Sequence, residues 1–338
     1  MPRMPLIEVK GNYYDIGFQI GSMLKKQIKK TIKIPEKVAK DHQFFKINYF
    51  IKTAQKYFPY ANKYFPHYVT ELKGIADGSG QDFDLIWLLN AEEVLVDMYF
   101  DKCTSVVLKE EDNIYLYHNE DFESSFANNI AVVKADINNK VKFLSLTFAG
   151  MLPGSSVSLN SFGLVQGINT LHPTDSKIGV PKNFISRAVL EADSIKNALK
   201  IIKNKERASA YNHTLIQGDK ALSVETTASE YKVLKIKNNF FLHTNHYLTK
   251  LSKKGEIPVR SVFKYNHAMD MLKKAEVIDK NVVMSVLGSH LNDYPICRHK
   301  SKIDSEVTLA SFIVDCNNLK MYVANGNPCK AKHQEFSL

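Results

Sequence analysis

The sequence predicts an α+β protein built from stacked layers. Three observations carry that prediction. Residues 12–99 read mainly at helical period, and after residue 100 the period drops to two, in short β-branched and aromatic runs. The strands then fall into two sets, with helices in blocks between and after them, which is the order of a layered α+β protein and not of alternating βαβ units.

The helical block opens with "NYYDIGFQIGSMLKKQIKKTI", residues 12–32, where Asn12 is the N-cap candidate. "INYFIKTAQKYF" and "PYANKYFPHYVTELKGIADGSG" follow, separated by Pro59, and the second stops at Gly78 and Gly80. "FDLIWLLNAEEVLVDMYF", residues 83–100, is apolar on most of its face and predicts a buried helix. Strands are predicted at "TSVVLK", "NIYLYH", "IAVVKAD", "KVKFLSLTF" and "GLVQGIN". The turns "EEDN", "DINN" and "LNSF" are too short for a parallel crossover, so the pairing is antiparallel. Helices over "PKNFISRAVLEA" and "SIKNALKIIKN" come next, the second capped by Asp193 or Ser194. "HTLIQG", "ALSVETT", "KVLKIK" and "NFFLHTNH" form the second strand set, followed by helices at 258–275 and 279–289. Two last strands, "VTLASFIVDC" and "LKMYVANG", pair across "NN". With no repeat, low-complexity tract or long linker, residues 1–338 read as a single domain.

At 338 residues and 44% apolar, the chain has ample material for a large core. No run approaches ~18 apolar residues, so no transmembrane segment is expected. "MPRMPLIEVKGNYYDIG" lacks an apolar h-region and a small-residue cleavage site, so no secretory signal and a cytoplasmic location are expected. Cys103, Cys297, Cys316 and Cys329 show no C-x-x-C spacing and read as free thiols in a reducing compartment, not as disulfides or a zinc site. The net charge of +10 is mostly lysine, concentrated in "KKQIKKTIKIPEKVAK". There the lysines interleave with Leu24, Ile28 and Ile32, giving one wet and one buried helix face. No nucleic-acid-binding motif accompanies them, so no specific nucleic-acid partner is expected. A basic nucleic-acid- or membrane-surface protein is the rival that the charge keeps open, and it predicts steeply salt-dependent retention.

"FDKCTSVV", residues 100–107, sets a cysteine at the start of an apolar strand. A buried structural thiol is one reading. The other is a nucleophile, which needs activation because a free thiol, with pKa ~8.5, is only partly ionised at neutral pH. His243 and His246 are bases by type, but the sequence does not bring them to Cys103. A cut before Cys103 supplies a different base. The new α-amino group, with pKa ~7.7–8.0, would sit on the nucleophile's own residue.

"DKCTSVV", "HNEDF", "LNSFGLVQGINTLHP", "HTLIQGDKALSVETT", "HTNHYL" and "YPICRH" occur in one order along the chain. Together they resemble the acyl-CoA:6-aminopenicillanate acyltransferase family, the C45 group of N-terminal-nucleophile hydrolases, which is related to choloylglycine hydrolases and acid ceramidases. The resemblance runs from "GNYYDIGFQIG" to "NGNPC". It implies a four-layer αββα fold with two antiparallel sheets between helix layers. It also implies a precursor that cuts itself before Cys103, giving a mainly helical small chain, 1–102, and a catalytic large chain, 103–338. The family usually carries Gly-Cys at that bond, and this chain has Lys102-Cys103.

The resemblance assigns roles residue by residue. Cys103 is the nucleophile. Asp121, in "HNEDF", contacts the new α-amino group; otherwise it is a turn aspartate. His118 stands where the bile-salt branch has an arginine, which counts against a bile-salt-type site. Asn245, in "HTNHYL", is the oxyanion donor; otherwise it ends a strand. Asn169, in "GINTL", matches a second donor of the bile-salt branch, with a structural role as an equal alternative. Arg298, in "PICRH", stabilises negative charge or fixes Asp121 by a bidentate pair; otherwise it is a surface salt bridge. Arg260 and Glu225 read as structural.

The expected activity is therefore that of a self-processing cysteine amidohydrolase or acyltransferase. It acts on a small-molecule acyl amide or thioester through a thioester acyl-enzyme, with no metal or redox cofactor. Two rivals stand beside it: a ceramidase-like lipid amidase, and an uncleaved non-catalytic homologue that binds an acyl ligand or partner. The acyl group, the amine and the oligomeric state are not written in the sequence.

Overall fold

In the computed structural model, which describes residues 3–41, 46–94, 103–290, 294–301 and 305–338, the N-terminal helices start on a capping box. The Asn12 side chain accepts from the Asp15 amide at 3.1 Å, and the Asp15 carboxylate accepts from the Asn12 amide at 3.2 Å. Seven helices follow among the described residues before 95: α1 (Tyr13–Met23), α2 (Lys25–Thr31), α3 (Lys33–Asp41), α4 (Ile47–Gln55), α5 (Phe58–Tyr64), α6 (Pro66–Ser79) and α7 (Phe83–Asn90). The first predicted helix is thus broken at Leu24. The lysines of α2 are exposed while Ile28 is buried, as the interleaving implies. Gly80 ends α6 in the left-handed region, at φ 64°. The expected helix over 83–100 stops at Asn90, a single 3-10 turn covers Glu92–Val94, and the rest of that prediction lies outside the described residues.

The strands are β1 (Leu6–Gly11), β2 (Cys103–Glu110), β3 (Asn113–Glu123), β4 (Ile130–Ile137), β5 (Val141–Phe148), β6 (Ser158–Asn160), β7 (Val165–Thr170), β8 (Tyr211–Gln217), β9 (Lys220–Thr226), β10 (Tyr231–Lys235), β11 (Phe240–His243), β12 (Glu306–Asp315), β13 (Lys320–Asn325) and β14 (His333–Ser337). They make an eight-stranded sheet, β1-β4-β5-β6-β7-β8-β9-β10, and a six-stranded sheet, β11-β2-β3-β12-β13-β14. The sequence sets do not map onto the sheets, because the β2–β3 hairpin pairs with strands from much later in the chain. β1, which was not expected, lies parallel to β4, the helical block serving as its crossover. The remaining pairings between these strands are antiparallel.

Helices cover both outer faces. α1 packs on β1 and β4, while α8 (Lys182–Leu190) and α9 (Ile195–Ile202) pack on β6, β7 and β8. α10 (Val259–Lys274) and α11 (Lys280–Leu287) bury Ala268, Leu272, Val283 and Val286 against Val106, Leu108, Tyr117 and Leu242 of the six-stranded sheet. A second, larger core holds Val107, Leu116 and Phe312 together with residues of the eight-stranded sheet. The result is the αββα layering. It leaves the start of β2 in the space between the sheets.

Candidate active site

Strand alternation decides what faces Cys103. Side chains two apart share a face, so Cys103, Ser105 and Val107 point between the sheets. Thr104, Val106 and Leu108 point toward α10 and α11. The register of β2 on β3 sets Cys103 opposite Glu120 and Ser105 opposite His118, which makes Glu120 and His118 the inward pair. Cys103 is buried, with its Sγ 3.7 Å from Glu120 Oε1. Glu120 Oε2 accepts from Ser156 Oγ at 2.5 Å and lies 3.2 Å from His118 Nε2. Ser105 Oγ donates to Asn169 Oδ1 at 3.0 Å, so the His118 Nδ1 beside it at 2.8 Å is the donor of that contact. His118 Nε2 and Glu120 Oε2 therefore meet on the thiol's face of the sheet.

Asn245 lies where β11 would continue beside Cys103. β11 pairs His243 with Ser105, and two residues further on Asn245 Oδ1 accepts from the Cys103 backbone N–H at 3.0 Å. Its Nδ2 donates to Thr170 O at 3.2 Å. The segment carrying Asn245 is fixed from two sides. The Ser261 hydroxyl on α10 accepts from the Asn245 amide at 2.7 Å. Glu225 accepts from the amides of Leu248 and Thr249 and meets His243 Nε2 at 3.0 Å. Burial opposes ionisation of Glu225, but the His243 contact and the amide donors outweigh it and lower its pKa. His243 and His246 thus build the support of Asn245; their described partners do not include the thiol.

Asp121 points to the other face of the sheet. Its Oδ2 is 3.3 Å from the Nζ of Lys264, buried on α10, and its Oδ1 accepts from Thr308 Oγ1 at 2.6 Å. A bulge at Leu309 shifts the β12 register so that Thr308 meets Asp121 and Ala310 meets Glu120. Burial raises the Asp121 pKa, and the Lys264 and Arg298 charges partly offset that rise. Arg298 is itself buried and ion-paired with Glu306, its charge acts on Asp121, and Lys264 touches the Asp121 carboxylate directly. Asn169 reaches the cluster only through Ser105. Its buried Nδ2 has no partner among the described residues.

The structure therefore brings together Cys103 and Asn245, ties Asn169 to them through Ser105, and sets Asp121 and Arg298 behind the strand. The sequence reading missed Glu120, Ser156 and Lys264. Glu120 was legible: a two-residue turn at Glu111-Asp112 pairs Glu110 with Asn113, and counting back from there reaches Cys103 and Glu120. A narrow cavity of about 20 Å³ lies over the thiol. Glu92, Glu120 and Tyr211 give it a polar side, and Phe122, Phe148, Met151 and Ile168 an apolar one. The aromatic walls of the cavity are Phe122, Phe148 and Tyr211, while Phe58 and Phe83 from the helical block pack around Trp87, beside Phe184. Lys102, and with it the carbonyl of the expected cleavage bond, lies outside the described residues. Cys103, His118 and Glu120 converge closely enough to hold a metal ion. Cys316 is buried at the end of β12, and burial pushes its thiol well up, so it is not a nucleophile.

Residues 107–330 match the family described as acyl-coenzyme A:6-aminopenicillanic acid acyl-transferase, so Cys103 stands just ahead of the matched segment. The chain is 28% identical over 224 residues to the Beta-alanyl-dopamine/carcinine hydrolase of Drosophila melanogaster, covering 60% of this chain and 57% of that one. It thus spans little more than half the length of that relative. Among solved structures, a mutant of the conjugated bile acid hydrolase from Clostridium perfringens is similar, with TM-score 0.47 and 12% identity over 70% of this chain and 97% of that one. The penicillin V acylase from Agrobacterium tumefaciens gives TM-score 0.43 and 10% identity over 66% and 82%.

Proposed function

The chain belongs to the acyl-coenzyme A:6-aminopenicillanic acid acyl-transferase family, and from that premise we propose that it is a self-processing cysteine amidohydrolase, of a family that also transfers acyl groups, acting on small-molecule acyl amides. The observation that carries this reading is the Cys103 N–H held by Asn245 Oδ1 at 3.0 Å, with the thiol of the same residue buried beside Glu120. One residue then offers both the nucleophile and the nitrogen that becomes its base.

In the uncut chain that nitrogen is a peptide N–H and has no lone pair for a proton. The thiol's proton must go elsewhere during self-cleavage, and the Glu120–His118 couple is the acceptor in reach. Cys103 Sγ attacks the Lys102 carbonyl, the Lys102–Cys103 C–N bond breaks, and an internal thioester forms. Water hydrolyses the thioester to a Lys102 carboxylate and a free thiol, leaving residues 1–102 and 103–338 as separate chains. In turnover the freed α-amine takes the thiol proton as Cys103 attacks the substrate carbonyl, and later returns it to the leaving amine.

Asn245 donates to the oxyanion once its Nδ2 turns from Thr170, and the unpartnered Nδ2 of Asn169 is the second donor. Asp121 faces Lys264 and Thr308 behind β3 and would steady the freed amine only from that side, while Glu120, opposite Cys103, is the carboxylate on the thiol's own face. Arg298 acts through its charge on Asp121. The relative is named as a hydrolase, which favours water as the acceptor. The cavity as it stands has room for about one water, so its mixed polar and apolar walls would part to admit a small acyl group with a polar end; a thiol nucleophile suits a reducing, cytoplasmic setting. No helix of the described residues is long and apolar enough to cross a membrane.

The test is a denaturing gel with intact mass. Wild type gives two fragments, the larger starting at Cys103, and Cys103→Ala gives one band. The matured protein then forms a thioester adduct on the large fragment with a panel of acyl amides, β-alanyl amides included. A folded wild type that hydrolyses amides while remaining one unbroken chain would overturn the proposal.

A further inference from the structure

Away from the cavity, a second cluster of ligating groups gathers at the turn between β13 and β14. His290 and His299 flank the segment that follows α11, Cys297 lies within it, and Cys329 sits in the turn after β13. One ligand atom from each of the four lies within 4.8 Å of all the others. The Cys297 and Cys329 sulfurs are 3.5 Å apart, and the His290 and His299 Nε2 atoms 3.0 Å. His299 Nε2 is 3.8 Å from Cys297 Sγ and 3.2 Å from Cys329 Sγ.

A tetrahedron with Zn–S of ~2.3 Å and Zn–N of ~2.0–2.1 Å has S–S, N–N and S–N edges of roughly 3.8, 3.3 and 3.6 Å. The four observed edges fall within a few tenths of an ångström of those values, and the two from His290 to the sulfurs lie within 4.8 Å. Hydrogen bonding does not account for the convergence. Three atoms crowd His299 Nε2, and a neutral ring nitrogen carries either one proton or one lone pair, enough for one of them. Asn327 Nδ2 donates to Cys297 Sγ at 3.4 Å, the kind of outer bond that steadies a metal-bound thiolate.

We infer that His290, Cys297, His299 and Cys329 form a structural zinc site. Binding releases the two thiol protons to solvent and leaves two thiolates and two neutral imidazoles around the ion. The Cys2His2 set is closed, with no protein ligand lacking, which is the pattern of structural and not of catalytic zinc.

The site sits where a clamp matters. Arg298 lies between two ligands. Its amide donates to Thr308 Oγ1 at 2.9 Å, its carbonyl accepts from Asn327 Nδ2 at 2.6 Å, and Thr308 in turn holds Asp121. The ion would tie the C-terminal turn to the segment that backs β3. The expectation of four unlinked thiols rests on the missing C-x-x-C; the ligands here are a C-x-H pair joined by two distant residues.

The experiment is cobalt(II) and zinc(II) titration of the reduced full-length protein. About one metal per chain is expected, with the visible bands of tetrahedral cobalt and a thiolate charge-transfer band that zinc abolishes. Cys329→Ser and His299→Ala should lose the charge-transfer intensity or the tetrahedral spectrum, and chelation should lower the thermal midpoint of wild type but not of Cys329→Ser. Cys103→Ser should keep the whole signal, because the cluster at Cys103 is a different one. No cobalt uptake by reduced wild type, uptake lost in Cys103→Ser but kept in Cys329→Ser, or a Cys297–Cys329 disulfide in protein made in a reducing cytoplasm would each overturn the site.

Discussion

Replacing Lys264 by methionine isolates the charge behind the catalytic strand. Lys264 Nζ lies 3.3 Å from Asp121 Oδ2, and both side chains are buried. At an effective dielectric of about 20 their attraction is about 5 kcal/mol. The variant also escapes the cost of burying an ammonium, and Thr308 and the Arg298 charge still face Asp121. The net loss at pH 7 should therefore fall at about 3–4 kcal/mol, the low side of a broken buried pair. Its pH dependence has a fixed sign. The folded pKa of Asp121 is already raised above 3.8, and loss of Lys264 raises it further. The stability contributed by its protonated form is fully present below about 3.8 and is lost as pH rises through the folded value. The penalty of Lys264→Met should thus shrink as pH falls through the raised pKa of Asp121. Asp121→Asn combined with Lys264→Met should recover most of the loss at pH 7. Urea unfolding in a Cys103→Ala background, where every sample is one unbroken chain, measures all three. A penalty that is flat with pH, or a double variant no more stable than Lys264→Met alone, would show that Lys264 is not the counter-ion of Asp121.

Four further outcomes are expected. Asn245→Ala in matured enzyme should lower kcat by ~10²–10³ with little change in KM, read from steady-state hydrolysis of an acyl amide. Glu120→Gln should slow self-cleavage by roughly 10² or more, read from a gel time course, because the uncut chain lacks its amine base. Burial pushes the Glu93 carboxyl up to about 7 from 4.5, and its buried Oε2 has no partner among the described residues. Wild type should lose on the order of 3 kcal/mol as pH rises from about 4.5 through 7, and Glu93→Gln should abolish that slope in urea unfolding against pH. At the α1–α6 crossing, a Cβ on Gly74 would meet Tyr14 O at 2.3 Å and Phe18 N at 2.8 Å. Gly74→Ala should cost about 2 kcal/mol in the same assay, overpacking outweighing the gain in helix propensity.

Local chemistry made much of this protein readable from its residues. The Asn12 cap, the Gly80 stop, the Ser194 cap of α9 and the left-handed pair Asn138-Asn139 at the "DINN" turn depend on side chains within a few residues, so the sequence determines them. The alternation of β2 and β3 and their two-residue turn likewise determine which side chains face Cys103. The parallel pairing of β1, the two-sheet partition and the short strands β6 and β14 depend on partners far along the chain, and no local period encodes a distant partner. The same limit applies to the site. Cys103 and Asn245 could be named from motifs, but the buried Lys264 behind Asp121, the support of Asn245 by Ser261 and Glu225, and the meeting of Cys297 with Cys329 arise only when helices and strands from separate parts of the chain pack together. The order of residues fixed the chemical groups and their local geometry. Tertiary packing decided which groups are desolvated side by side, and that is what sets their charges and their reach.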